Sequence, residues 1–237
     1  MNKLLKILTI IYLLLPQGLS LHAQSPTQIL NQLNSPQTNN RLDLIKQLSQ
    51  QKAGDYSPQD KAQFQEILAA DSLSHYDQLL RIAGQLGIGE EKLKALSSSS
   101  DDINIKTTAK LALARIGDQD ILDQFIEKVK EVAVDDEFVY RVAPLLIYVR
   151  QPATIDYLFD LVLSDAADCT SPNPDSHSPM PCAYRLVEAL APVVLDFPVS
   201  VGKSGDLRTD DYPAALNTVR QWIVKHRGEY ELDRERL

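Results

Sequence analysis

The sequence is poor in several residue types that define whole classes of protein. It has 2 cysteines and 9 glycines in 237 residues, and aromatic side chains make up only 6% of it. So few cysteines exclude a disulfide-rich scaffold, and the low glycine and aromatic content argues against a β-sandwich or barrel. The hydrophobic share of 44% is closer to that of a leucine- and alanine-rich helical protein.

Long apolar runs are also scarce, and the longest lies at the N-terminus. Residues 1–23 combine a lysine-containing start, the apolar run Ile7–Leu15, and a small or polar end. That run is shorter than the ~20 apolar residues needed to cross a bilayer, so a retained anchor is the less favoured alternative. We predict a signal peptide cleaved after Ala23 or Ser20, and a periplasmic or secreted mature protein, residues 24–237, without stable membrane insertion.

Positive charge is in short supply as well. Removal of the predicted signal peptide takes away two lysines and no acid, leaving 22 basic and 32 acidic residues and a net charge of −10. Nucleic-acid binding depends on clustered lysine and arginine, and the sequence contains no such cluster. We therefore expect no nucleic-acid partner.

The two cysteines lie thirteen positions apart in a proline- and serine-rich stretch. In an exported protein such a pair predicts a disulfide between Cys169 and Cys182. A metal site formed with His177, Asp168 and Asp175 is the alternative, but the C-x-x-C spacing typical of zinc sites is missing. We predict the disulfide, and neither a metal nor a cofactor.

Motifs of catalysis are missing from the sequence too. Apart from the signal peptide, the histidines are His75, His177 and His226, and none belongs to an H-E-x-x-H motif. The run 202–204 resembles the end of a phosphate-binding loop, but Phe197 stands where that motif needs glycine. No G-x-S-x-G nucleophile motif occurs. We predict a turn at 202–204 and no catalytic residues.

What the sequence does contain is a repeat. The apolar face of one predicted helix recurs 33 residues later, and so does the face of the helix that follows it. The first face is Ile105, Ala109, Ala112, Leu113 and Ile116, repeated as Phe138, Val142, Leu145, Leu146 and Val149. The second is Leu122, Phe125, Ile126 and Val129, repeated as Ile155, Leu158, Phe159 and Val162.

Similar faces before and after these helices extend the pattern to four helix pairs, from about 73 to 225. Insertions at 166–181 and 197–210 interrupt it. A divergent helix pair at about 26–70 precedes the repeats, a tail at 226–237 follows them, and we predict one domain. Atypical end units are expected, because a terminal repeat has one face in water.

Local residues agree with these helix boundaries. Gly87 and Gly117 follow predicted helices, where a left-handed residue is favoured. Asp102 and Asp135 precede predicted helices, where a carboxylate caps free N–H groups. The run Ser97–Ser100 is predicted to be a short polar linker.

The stretch Ala109–Gly117, followed by Asp118 and a second predicted helix, resembles the HEAT and HEAT-like repeat consensus. The resemblance covers most of residues 73–225. It implies an all-α, right-handed α-solenoid of stacked antiparallel helix pairs, acting as a protein-interaction or scaffold module. Tetratricopeptide repeats and an irregular helical bundle are the competing folds. Since some members of such families are enzymes, a hydrolase-like enzyme with a site on the concave face is the alternative function.

One polar feature repeats with the core. Asp123 and Glu127 lie one helical turn apart, and the 33-residue offset carries them to Asp156 and Asp160. Neighbouring like charges repel, so stability alone does not favour them. We predict that these four carboxylates form an acidic stripe that binds a cationic or hydrogen-bond-donating partner. A solvated helix face is the alternative.

Overall fold

The computed structural model describes residues 24–35, 38–70, 75–164, 168–170 and 179–235 of the chain. Eleven α-helices dominate this part, alongside two strands of two residues each. The fold is therefore all-α, as predicted. The predicted signal peptide lies outside the described residues. Among the helices that are described, none is both long and apolar enough to cross a bilayer.

The segment at 26–70, predicted to be a divergent helix pair, holds three α-helices. Serine caps the first and the third, and proline follows each cap at a position where no backbone donor is needed. The cap of the third helix is reciprocal, because the side chains of Ser57 and Asp60 each accept a hydrogen bond from the backbone N–H of the other. The elements are α1 (Pro26–Leu33), α2 (Arg41–Ser49), a 3₁₀ turn (Ala53–Asp55) and α3 (Pro58–Ala69).

Eight further helices follow along the chain. A π-helical turn, Phe138–Val142, leads directly into the fifth of them, and an antiparallel pair of short strands precedes the seventh. The helices are α4 (Tyr76–Leu86), α5 (Glu90–Ser99), α6 (Ile103–Ile116), α7 (Gln119–Lys130), α8 (Ala143–Val149), α9 (Pro152–Leu163), α10 (Ala183–Leu190) and α11 (Tyr212–His226). The strands are β1 (Asp168–Cys169) and β2 (Met180–Pro181).

The 33-residue period is present in the boundaries of the helices. The carboxylate of Asp102 accepts the N–H of Asn104 at 2.8 Å, and that of Asp135 accepts the N–H of Phe138 at 3.0 Å. The first helices end at left-handed residues, Gly117 with φ 109° and Arg150 with φ 52°. Helical residues also begin at 136, 33 after the start of α6, when the π-helical turn before α8 is included. Since α7 and α9 also begin and end 33 residues apart, the pairs α6–α7 and α8–α9 have matching boundaries.

The predicted polar linker at Ser97–Ser100 is wrong, because the first three of these serines form the last turn of α5. Their hydroxyl groups donate hydrogen bonds to the carbonyl oxygens of Lys94 and Ala95 in the preceding turn. Serine side chains that bond back to their own helix satisfy their hydroxyls without leaving it.

The first helices of neighbouring pairs pack in sequence, because α4 contacts α6, α6 contacts α8, and α8 contacts α10. The second helices α5 and α9 also contact the first helices that follow them, α6 and α10. A close approach occurs at Gly84 of α4, where an added Cβ would lie 2.9 Å from the Cα of Ala112 in α6. Tyr148 of α8 reaches the same place and donates its hydroxyl proton to the carbonyl oxygen of Arg81 at 2.9 Å. All residues of the predicted apolar faces are buried or half-buried.

The segment predicted to be a tail packs back along the molecule as a C-terminal strap, residues 227–235. Its backbone bonds first to the residues after α10, where the Asp233 N–H donates to the Val193 carbonyl at 2.9 Å. Its far end reaches the 3₁₀ turn, where the Glu235 carbonyl accepts the Ala53 N–H at 2.8 Å. The Glu235 carbonyl also accepts the side-chain amide of Gln85 at 3.0 Å. The strap thus joins the last helices to the first ones.

Candidate functional site

The first half of the predicted acidic stripe lies on the exposed face of α7. Asp123 accepts a hydrogen bond from the Gln119 side-chain amide at 2.7 Å, and Glu127 pairs with Lys130 at 3.0 Å. Both contacts are made within the same helix and in water, where such pairs contribute less than about 1 kcal/mol. These two carboxylates therefore stand in the geometry of a solvated helix face.

The second half of the stripe has partners in the C-terminal strap. The Arg227 Nη1 atom lies 2.6 Å from Asp160 Oδ1, and its Nε atom lies 3.8 Å from Asp156 Oδ1. The Tyr230 hydroxyl donates to Asp156 Oδ1 at 3.1 Å. Burial, followed by the charge of Asp156, raises the pKa of Tyr230. Arg227 and Tyr230 of the chain itself thus supply a cation and a hydrogen-bond donor to this half. An external partner of the stripe stays a prediction.

The predicted disulfide between Cys169 and Cys182 is confirmed, with 4.9 Å between the two Cα atoms. Both cysteines are buried, and the pairing of β1 with β2 brings them together. His177 and Asp175, proposed as alternative metal ligands, lie outside the described residues. In the part of the chain that is described, no group of histidine, cysteine, aspartate and glutamate could hold a metal ion.

The two described histidines and the turn at 202–204 have positions that the fold itself explains. The ring of His226 stacks on Trp222, with 4.9 Å between ring centroids, and His75 immediately precedes α4. Residues 202–204 form the predicted turn, in which the Gly202 N–H donates to the Asp206 carbonyl at 2.8 Å. His226 therefore packs against an aromatic ring, and His75 lies at the start of a helix.

A groove formed by α6, α7 and α8 is the surface best suited to binding, and we name it the lysine-rimmed groove. It encloses about 310 Å³. One wall is a stripe of α6 with the spacing i, i+3, i+4, i+7, i+8, namely Ile103, Lys106, Thr107, Lys110 and Leu111. The other wall is a stripe of α7 with the same type of spacing, namely Ile121, Gln124, Phe125 and Lys128, and Leu145 of α8 completes the lining.

The floor of this groove is apolar. Leu111 is buried, Phe125 and Leu145 are half-buried, and Ile103 at one end has 69% of its surface exposed. The exposure of Ile103 follows from its position, because Asp102 caps α6 and Ile103 is therefore its first residue. An isoleucine at this site contributes little to the core and leaves apolar surface in contact with water.

The rim carries three lysines on an otherwise acidic protein. Lys106 donates to the carbonyl oxygen of Ser98 at 3.1 Å. Among the described residues, neither Lys110 nor Lys128 pairs with a carboxylate, in contrast to Lys94 and Lys130. Three lysines thus frame an apolar floor, and the adjoining cavity, which shares Leu111 and Leu145 with the groove, adds Asp77, Arg81 and Asp102.

Sequence reasoning missed this groove, although the repeat contained a signal for it. The positions of its three lysines correspond, 33 residues later, to Val139, Ala143 and Leu161. Val139 and Ala143 are buried, and Leu161 packs against the C-terminal core. A change from apolar to lysine at equivalent positions indicates that the same face is covered in one helix pair and open in the other.

A separate pocket of about 190 Å³ lies beside the strap. Its lining is more polar and includes Arg115, Arg150 and Arg234. Arg115 and Arg150 are buried, and burial lowers the pKa of Arg115 to about 10. Their guanidinium groups donate to the carbonyl oxygens of Tyr148 and Asp233 respectively. Because these bonds tie helix ends to each other and to the strap, the pocket has a structural explanation.

No protein-family model matches the chain, and no solved structure matches it significantly.

Proposed function

We propose that this protein is an exported protein-interaction module, built as a HEAT-like α-solenoid, that binds a segment of another protein in the lysine-rimmed groove. The solenoid is supported by the 33-residue recurrence of helix boundaries and by the successive contacts of α4, α6 and α8. Export to the periplasm or the medium is supported by the N-terminal pattern and by the disulfide.

The observation that carries the proposal is the apolar floor left open beneath the lysines. Ile103 and Phe125 expose apolar surface that folding alone would favour burying. Apolar surface framed by polar residues is typical of a protein-protein interaction site. A bound segment would cover the floor and bring its own polar groups to the lysines.

The same lining supports binding over the alternative of an enzyme. Its polar residues offer three lysine ammonium groups, one hydroxyl and one amide, without a carboxylate or an imidazole among them. Histidine, aspartate and glutamate are the usual general bases of hydrolases, and a lysine acts as one only when its environment favours the neutral amine. Binding is therefore the function that this groove supports best.

Site-specific photo-crosslinking of the exported protein tests the proposal. A photoreactive amino acid at Ile103 should yield a crosslinked protein species in the native envelope fraction or culture medium. The matched control places the same group at Val224 of α11, which is 74% exposed and outside the groove. The Ile103 adduct should weaken when Leu145→Asp introduces a charge into the groove. Identical adducts at Ile103 and Val224, or none at Ile103, would reject the groove as the binding site.

A further inference from the structure

We infer that the partner segment is an acidic amphipathic α-helix, held with its apolar side on the groove floor and its carboxylates beside the lysines. The inference rests on the proposed function of the groove and specifies the chemistry of its occupant. It follows from three features of the groove: the charge of its rim, the geometry of its walls and the extent of its apolar floor.

The charge of the rim selects an acidic ligand. Lys106 and Lys110 stand on the α6 wall and Lys128 on the α7 wall, so a helix lying between them meets positive charge on both sides. The whole chain has a net charge of −8, so at long range it repels an acidic segment. Attraction is therefore local, which steers an acidic segment to this groove and disfavours other contacts.

The geometry of the walls favours a helix over an extended peptide. Each wall is a helical stripe that runs for about eight residues, which corresponds to ~12 Å or roughly two turns of a parallel helix. One way in which extended peptides bind is by adding a strand to a sheet edge, and the sheet in the described residues has only two strands of two residues. A helix laid in an apolar groove needs no such edge, because its backbone bonds are internal.

The extent of the apolar floor determines the spacing of apolar residues in the ligand. Leu111, Phe125 and Leu145 form a continuous apolar surface that ends at the exposed Ile103. A helix covers such a floor with apolar residues at i, i+3 or i+4, and i+7. The remaining positions point toward the rim, where glutamate or aspartate would reach the lysines.

Fluorescence anisotropy with three labelled peptides tests this inference on the intact, disulfide-bonded mature protein. The first peptide is an acidic amphipathic helix with leucines at i, i+3, i+4 and i+7. The second replaces each glutamate by lysine, and the third is a scrambled acidic sequence without an apolar face. We expect the first to bind at least tenfold more tightly than the other two, and to weaken as salt screens the lysines.

Charge reversal at the rim supplies the matched variants. Lys106→Glu, Lys110→Glu and Lys128→Glu together should abolish the preference for the acidic helix and favour the basic one. The control reverses three exposed lysines elsewhere, Lys46, Lys203 and Lys225, which changes the net charge equally. The control should keep the preference, and circular dichroism should confirm that both variants are folded. Equal loss in both variants would attribute the effect to net charge and overturn the inference.

The other outcomes separate this inference from the proposed function. A crosslinked partner whose captured segment is basic or extended would overturn the acidic helix and leave the interaction module standing. Lysine-dependent binding to vesicles containing phosphatidylglycerol, without binding of the acidic peptide, would replace the peptide by an anionic membrane surface. Failure of crosslinking at Ile103 would remove both proposals together.

Discussion

The helix pairs α6–α7 and α8–α9 have equivalent boundaries and opposite surroundings. The side of α9 that carries Asp156 and Asp160 is contacted by the strap, since Arg227 Nη1 lies 2.6 Å from Asp160 Oδ1 and the Tyr230 hydroxyl donates to Asp156 Oδ1 at 3.1 Å. The equivalent side of α7 keeps Asp123 and Glu127 in water, and its other side lines the groove. The comparison teaches that the period specifies the helices and their core faces, whereas the residues that follow them decide which of the remaining faces gain contacts.

The largest effect should come from a charge placed at equivalent core positions of the two pairs. Leu113→Asp and Leu146→Asp each bury a carboxylate at a site where the leucine is no more than 1% exposed. We expect each variant to lose several kcal/mol of unfolding free energy, because the charge has no partner there. Thermal melts followed by circular dichroism would measure the loss.

The control for this pair is Ile103→Asp, which changes an exposed residue of α6 and should leave the melting temperature almost unchanged. Similar losses for the two leucine variants would support their equivalence. A folded Leu113→Asp protein beside an unfolded Leu146→Asp protein would mean that the two pairs differ in their cores as well as in their surfaces.

The helices and their core faces could be predicted because they depend on local information. The apolar spacing of Leu113 and Ile116 or Leu146 and Val149 places each pair on one helical face. Capping by Asp102 also depends on adjacent residues. Such features need no knowledge of what lies elsewhere in the chain.

The strap and the groove could not be predicted in this way. The strap is held partly by backbone bonds, such as those of Asp233 to Val193 and of Glu235 to Ala53, which leave no residue pattern. Its side-chain bonds, such as that of Arg227 to Asp160, join residues 67 positions apart, beyond the reach of local patterns. The groove depends on α8 approaching α6 and α7 without covering Lys110 and Lys128. Lysines on a helix are ordinarily solvated, so the tertiary arrangement alone distinguishes these.

Removal of the disulfide should affect the helices after α9 more than the pair α6–α7. Replacing Cys169 and Cys182 by serine opens a loop of 13 residues, which costs about 3 kcal/mol in the chain-entropy model. We expect increased amide exchange in residues 179–190, because the bond anchors the start of α10. Exchange in α6 should rise less, and equal increases in both regions would show that the bond supports the whole core.

The smallest expected effect is an alkaline loss of stability that depends on the cover of α9. Burial and the charge of Asp156 raise the pKa of Tyr230, so this tyrosine keeps its proton in the folded state at pH values where the unfolded chain releases it. A raised pKa stabilises the fold below about pH 10, the usual tyrosine pKa, and this contribution is lost as the pH rises further. Tyr230→Phe removes the titrating group and keeps the ring against Phe159. We therefore expect the unfolding free energy, measured by urea denaturation between pH 9 and 11, to fall less steeply in the variant.

The difference in slope should be below about 1.4 kcal/mol per pH unit, the value for one full proton, because Tyr230 is partly exposed to solvent. Tyr140→Phe is the matched control, since Tyr140 has 65% of its surface exposed and its replacement should leave the slope unchanged. Near neutral pH the Tyr230 variant should lose about 1 kcal/mol, the usual contribution of a hydrogen bond such as the one from its hydroxyl to Asp156. An unaltered alkaline slope in Tyr230→Phe would mean that the strap leaves α9 before Tyr230 ionises, and that the cover distinguishing α9 from α7 is weaker than the hydrogen bonds of the strap indicate.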